Sequence, residues 1–296
     1  MRKINWVVIP TTILVLTFLG QYWWRFVIEI NKSEPKKVIE NITLSPTPVA
    51  SVSATPTASP SPTVRVLSFS EMNELYGPCV RLPILMYHHI NSLEIAKEGG
   101  YGSLTIEPER FKSQMEYLKT KGYNFVTPRE LTNFFTNGGG LPAKPVMITF
   151  DDGYMDNYSA FEILRSVGGK GVIFLATGLM ENPNYLTWSK ISEMSGSGVI
   201  TFGNHTWSHR NVGGNKEAVK KEILMADGQL KERGLNQDKI FAYPYGIENG
   251  FTENFLASEG YTMALTTVHG TTQCAKKRFE LPRIRVGNTG LSAYGL

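Results

Sequence analysis

The chain has 296 residues, 42% hydrophobic and 19% charged. That suffices for one large folded domain with appendages and is the composition of neither a disordered nor a fibrous protein. Lysine and arginine number 30 against 26 aspartates and glutamates, a net charge of +4. An excess this small, with no dense basic stripe interleaved with aromatics, speaks against nucleic acid as a partner.

Arg2 and Lys3 precede an apolar run from about Trp6 to Leu19, continued by Tyr22, Trp23, Trp24, Phe26, Val27 and Ile28. A bilayer core needs roughly 20 mostly apolar residues in a helix. The three aromatics sit where an interfacial belt belongs, with Arg25 just beyond. Residues 1–30 are therefore read as a single-pass anchor in the cell membrane. A cleaved export signal is the alternative, but no small-residue cleavage site follows the run. Residues 31–65 include the tract SPTPVASVSATPTASPSPT, which cannot bury enough apolar surface to fold and reads as an extended extracellular linker. The folded domain is expected over residues 66–296. Cys79 and Cys274 stand near its two ends, and either a disulfide or two buried thiols suits an exported protein.

Within the domain, strand-like runs at Pro83–His88, Pro145–Phe150, Gly171–Ala176, Gly198–Phe202, Lys239–Tyr243 and Tyr261–Thr266 alternate with amphipathic stretches. The latter are Glu107–Lys121, Pro128–Phe135, Asn157–Ser166, Lys216–Arg233 and Thr252–Gly260. In the first of them Phe111, Met115, Tyr117 and Leu118 recur at helical spacing and Gly122 offers a C-cap. Repeated βα units imply parallel strands wrapped by helices. About seven units fit, so the expected fold class is α/β, a distorted (β/α) barrel, with an open doubly wound sheet second. Ligands then belong at the carboxyl ends of the strands.

Two segments at such ends carry chemistry. In Pro145–Tyr154, a buried strand runs straight into Asp151, Asp152 and Gly153. Adjacent side chains at a strand end diverge, so one carboxylate can ligate a metal while the other faces a substrate water. In Gly203–His209, His205 and His209 stand four apart, read as one face of a helical turn, where two imidazoles can share an ion. With Asp152 they make a two-histidine, one-carboxylate set with open positions, which fits zinc and also non-haem iron.

The segments TFDDG (Thr149–Gly153) and HTWSH (His205–His209), about fifty residues apart, resemble the first two motifs of the polysaccharide deacetylase family, the NodB-homology domains. The resemblance spans roughly residues 82–290 and implies a distorted (β/α) barrel. It implies Asp151 as general base and Asp152, His205 and His209 as ligands of a divalent metal, zinc first, with cobalt, nickel or iron as alternatives. FAYPYG (Phe241–Gly246) corresponds to the family's R-x-P-Y motif, which assigns the backbone N–H of Tyr245 to the oxyanion. Ala242 stands where the motif's arginine belongs, and Arg283 or Arg285 is expected to replace it. Trp188 corresponds to the family's pocket-lining tryptophan, and a core tryptophan is the alternative. Tyr154 and Pro244, beside the motifs, are added as substrate contacts. LPILMYHHI, FAYPYG and LPRIRV together resemble the circularly permuted poly-N-acetylglucosamine deacetylases of biofilm matrices. That subgroup implies His88 as the catalytic acid, with His269 the alternative, and His89 as structural. The implied partner is an amino-sugar polysaccharide, poly-N-acetylglucosamine before peptidoglycan or chitin, acted on by a monomer. A non-catalytic carbohydrate-binding protein is the rival reading, supported by the missing arginine alone.

Overall fold

The computed structural model describes residues 66–296. The anchor read at 1–30 and the linker at 31–65 lie outside the described residues. Among those described, no helix is long and apolar enough to cross a membrane.

In chain order the first half comprises α1 (Phe69–Tyr76), β1 (Cys79–Arg81), β2 (Ile84–Tyr87), β3 (His89–Ile90), α2 (Leu93–Glu98), β4 (Thr105–Ile106), α3 (Pro108–Thr120), β5 (Asn124–Phe125) and α4 (Pro128–Asn137). Then follow β6 (Pro145–Phe150), α5 (Asn157–Val167), β7 (Gly171–Leu175), α6 (Trp188–Gly196), β8 (Ile200–Asn204), α7 (Lys216–Lys231), β9 (Ile240–Ala242), α8 (Gly250–Ser258), β10 (Met263–His269), β11 (Thr272–Cys274) and β12 (Leu281–Arg285). The helix ends follow from local chemistry. At α4, Thr127 and Glu130 form a reciprocal capping box, Pro128 opens the first turn, and Gly138 closes it in the left-handed region.

Seven strands run parallel in the order β2-β12-β10-β9-β8-β7-β6, and the pairing of β2 with β6 closes them into a barrel. β5 adds only at the start of β6, pairing Asn124 with Pro145 and Phe125 with Val146. Strands such as β6 and β7 are buried along their whole length, because helices cover the outer face and side chains fill the interior. Their residues divide with a period of two. Ile84, Met147, Val172, Phe174, Met263 and Leu281 pack with one another from different strands, inside the barrel. The alternate set, including Leu85, Ile148, Phe150 and Ile173, packs against Phe111 and Met115 of α3 and Phe161 and Leu164 of α5. Thr149 and Asp151 continue the inward phase of Met147, and Arg283 that of Leu281, which brings all three to one end of the interior.

The barrel agrees with the expectation from βα alternation, with further elements the periodicity does not announce, among them strand β12, inside LPRIRV, and helix α6. The strand expected at Gly198–Phe202 lies at Ile200–Asn204. Cys79 and Cys274 form a disulfide, S–S 2.03 Å. They are direct partners in the antiparallel pair β1–β11, which decides between the bridge and two free thiols.

Candidate active site

Asp151 follows the last residue of β6 and is 3% exposed. Arg283, fully buried on β12, donates Nη1 to its Oδ1 and Nη2 to its Oδ2, each at 2.7 Å. This is the bidentate geometry in which a guanidinium binds a carboxylate best. Arg283 also donates Nε to the Thr266 carbonyl at 2.8 Å and Nη1 to Thr149 Oγ1 at 3.2 Å. Burial pushes the Asp151 carboxyl up, but the charge and hydrogen bonds of Arg283 outweigh it and hold the group below the usual range. Of the two arginines of LPRIRV, Arg283 and not Arg285 pairs with Asp151. Arg285 instead lines the cavity onto which the two aspartates open.

Asp152 has φ +77° and Gly153 φ +80°. The divergence of the two carboxylates therefore comes from a left-handed turn, not from strand alternation alone. Gly153 is required there, since a Cβ would meet Leu175 Cδ2 at 2.6 Å. His205 follows β8, with Nδ1 2.7 Å from the Ala242 carbonyl oxygen. Donation of Nδ1–H to that carbonyl leaves a lone pair on Nε2. The expected helical turn over the two histidines is absent. Residues 205–210 form a loop in which Thr206 and His209 both have positive φ. Thr206 N–H donates to Asn204 Oδ1 at 2.8 Å. The buried Glu222 of α7 accepts from the Ser208 N–H and hydroxyl, both at 2.8 Å. The i, i+4 spacing serves a clamped loop here.

His209 Nε2 and His205 Nε2 lie 3.1 and 3.3 Å from Asp152 Oδ1. One ligand atom from each of the three residues falls within 4.8 Å of the others. Asp152 Oδ1 is buried with no aligned hydrogen-bond donor. An orphaned carboxylate oxygen facing two imidazole nitrogens is the donor set of a cation site, so the residues present fit a divalent metal.

The cluster faces a cavity of about 340 Å³ whose walls include His88, Asp151, Tyr154 and Tyr245. Burial lowers the His88 pKa, with the carboxylates of Asp151 and Asp152 opposing. Asn157 Nδ2 holds the His88 carbonyl at 2.6 Å. Tyr245 has φ +63° in a 3-10 turn over Pro244–Gly246, and its ring meets the edge of His209 at 4.8 Å. Other expected contacts lie elsewhere. Trp188 opens α6 under the Arg233 guanidinium, 3.9 Å from its ring, and packs on the outer core. It lines no part of this cavity, because α6 lies on the outer face of the barrel. Pro244 is buried in its turn and His269 lines a separate cavity beside the disulfide. Sequence reasoning missed Glu222 and Asn157, whose partners are a loop distant in sequence and a backbone carbonyl, neither of which leaves a motif.

Comparison with known proteins adds three kinds of match. Residues 138–264 match the profile of the family described as polysaccharide deacetylase. A Bacillus subtilis (strain 168) protein named for the polysaccharide deacetylases, YxkH, is 32% identical over 219 residues, covering 73% of this chain and 75% of its own. The poly-beta-1,6-N-acetyl-D-glucosamine N-deacetylase of Staphylococcus epidermidis is 26% identical over 199 residues, 62% of this chain and 68% of its own. Among solved structures, the Streptococcus pyogenes deacetylase PplD in complex with acetate superposes with TM-score 0.65 at 30% identity, over 71% of this chain and 94% of that one.

Proposed function

The chain belongs to the polysaccharide deacetylase family, hydrolases of polysaccharide amide bonds, and from that premise we propose that it is a metal-dependent deacetylase of an N-acetylglucosamine polymer. Poly-N-acetylglucosamine is the favoured substrate, with peptidoglycan and chitin oligomers as alternatives of the same chemistry. The observation that carries the reading is the convergence of Asp152, His205 and His209 beside a second carboxylate that Arg283 holds ionised. The substrate preference draws support from the name of the S. epidermidis relative.

Asp152, His205 and His209 would hold the cation, zinc first. When bound, it would supply a Lewis acid that polarises the acetyl carbonyl and acidifies water. Asp151, ionised and fixed by two hydrogen bonds, accepts the proton of the attacking water. The Tyr245 backbone N–H, turned by its positive φ, is assigned to the developing oxyanion. His88 donates a proton to the leaving nitrogen, which an amide needs because an amine anion leaves poorly. Its lowered pKa makes the protonated imidazole a stronger acid and its protonated fraction smaller.

The same reading keeps residues 1–30 as an anchor in the cell membrane and the domain outside the cell as a monomer. The Cys79–Cys274 disulfide supports an oxidising compartment. The test is acetate release from poly-N-acetylglucosamine, peptidoglycan and chitin oligomers, with and without a chelator. Chelator-sensitive release from at least one is expected. Release from none, or release that a chelator leaves untouched, refutes the proposal.

A further inference from the structure

A second cavity, about 430 Å³, adjoins the catalytic one and shares Tyr154 as a wall. Its volume lies within the roughly 300–1,000 Å³ of small-molecule sites. One side is a row of four rings. Tyr101 lies 4.4 Å from His89, His89 stacks 3.7 Å from Tyr154, and Tyr154 is 5.1 Å from Tyr185, centroid to centroid. All four line the cavity, and of them only Tyr154 also lines the catalytic one.

The row is built and held. Asp156 Oδ2 lies 2.8 Å from His89 Nδ1, and its Oδ1 accepts the Ile90 N–H at 3.3 Å. Tyr154 and Tyr185 face each other in an isolated antiparallel bridge. The Met155 N–H donates to the Asn184 carbonyl at 2.7 Å and the Leu186 N–H to the Gly153 carbonyl at 2.9 Å. Yet the three tyrosines are only half-buried, so ring surface fixed at no further conformational cost faces solvent. Fixed aromatic surface with a few polar groups is the makeup of a binding site. The polar groups here are the amides of Asn91 and Asn184 and the carboxylate of Asp156, paired with His89, and no lysine or arginine lines the cavity. That chemistry suits a neutral, amphipathic ring with C–H faces and peripheral hydroxyl or acetamide groups, and it does not suit an anion.

We propose that this cavity binds the sugar unit next to the one being deacetylated, an N-acetylhexosamine, so that the polymer crosses Tyr154 with one unit on either side. The proposal rests on the polysaccharide reading above and deepens it. The experiment is calorimetric titration of the metal-loaded Asp151→Asn enzyme with a β-1,6-linked N-acetylglucosamine pentamer and, in parallel, a chitin pentamer. Tyr101→Ala in that background weakens the tighter-bound pentamer roughly three- to tenfold, the order of a lost ring contact. Tyr101→Phe keeps the parent affinity, and metal affinity stays within about twofold in both. Affinity unchanged by Tyr101→Ala, a parallel loss of metal affinity, or no binding of either pentamer overturns the subsite. Wild-type enzyme that releases no acetate while binding persists refutes the functional reading instead, and the titrations still decide the cavity.

Discussion

Replacing Arg283 with methionine leaves the Asp151 carboxylate buried without a counter-charge. The two side chains are 0% and 4% exposed and joined by two bonds of 2.7 Å. Removing one partner of such a pair costs about 3–5 kcal/mol. At about 1.36 kcal/mol per pKa unit, that corresponds to an upward shift of the Asp151 pKa by roughly two to four units at most. The sign follows from linkage. In the wild type the folded-state pKa is depressed, so this group's stabilisation is present above the unfolded value, about 3.9, and is lost as pH falls through the folded one. In Arg283→Met burial is opposed only by the nearby His205 and His88, the folded pKa rises above the unfolded value, and the carboxyl destabilises the fold as pH rises from the unfolded value to the folded one. The stability difference between the two proteins is therefore largest near pH 7 and shrinks below about pH 4. Urea denaturation of the metal-free proteins from pH 3.5 to 8 measures it, and turnover at pH 7 falls with the loss of an ionised base. Arg283→Lys restores part of the stability but not the fork geometry. A pH-independent difference, or one under about 1 kcal/mol at pH 7, would refute the claim that this pair sets the charge state of Asp151.

Asp151→Asn abolishes acetate release while metal stays bound, whereas Asp152→Ala, His205→Ala and His209→Ala each lose metal; metal analysis beside an acetate assay separates the two classes. His88→Ala lowers kcat by about 10²–10⁴, the range of a positioned acid, and His269→Ala leaves it unchanged; the reverse pattern would reassign the acid. Glu222→Gln slackens the loop that carries His209 and weakens metal binding about 10–100-fold, as loss of an outer support does, which competition with a chromophoric chelator reads. The double variant Cys79→Ala/Cys274→Ala loses about 2–5 kcal/mol, because the bridge closes a loop with a sequence separation of 195. It keeps its turnover at 25 °C, since neither cysteine lines the catalytic cavity.

The sequence by itself determined the βα alternation and the two segments in which ligands and base would be sought, and it favoured a barrel over an open sheet without deciding between them. Those features are local: a buried parallel strand needs a continuous apolar run, and a carboxylate pair ending one is visible as adjacent letters. LPRIRV was legible as a source of the substitute arginine, but not which arginine. Only closure of β12 between β10 and β2 puts Arg283 on the inward phase and Arg285 one pleat-step beyond, at the cavity wall. The i, i+4 histidines suggested a helix because spacing carries no φ. The left-handed Thr206 and His209, clamped by Glu222 from α7, give the same proximity another way. The disulfide, the ring row beside Tyr154 and the outward place of Trp188 likewise belong to tertiary structure alone. Each depends on residues far apart in the chain meeting across a closed barrel, and a pairwise distance of that kind leaves no period or motif in a single sequence.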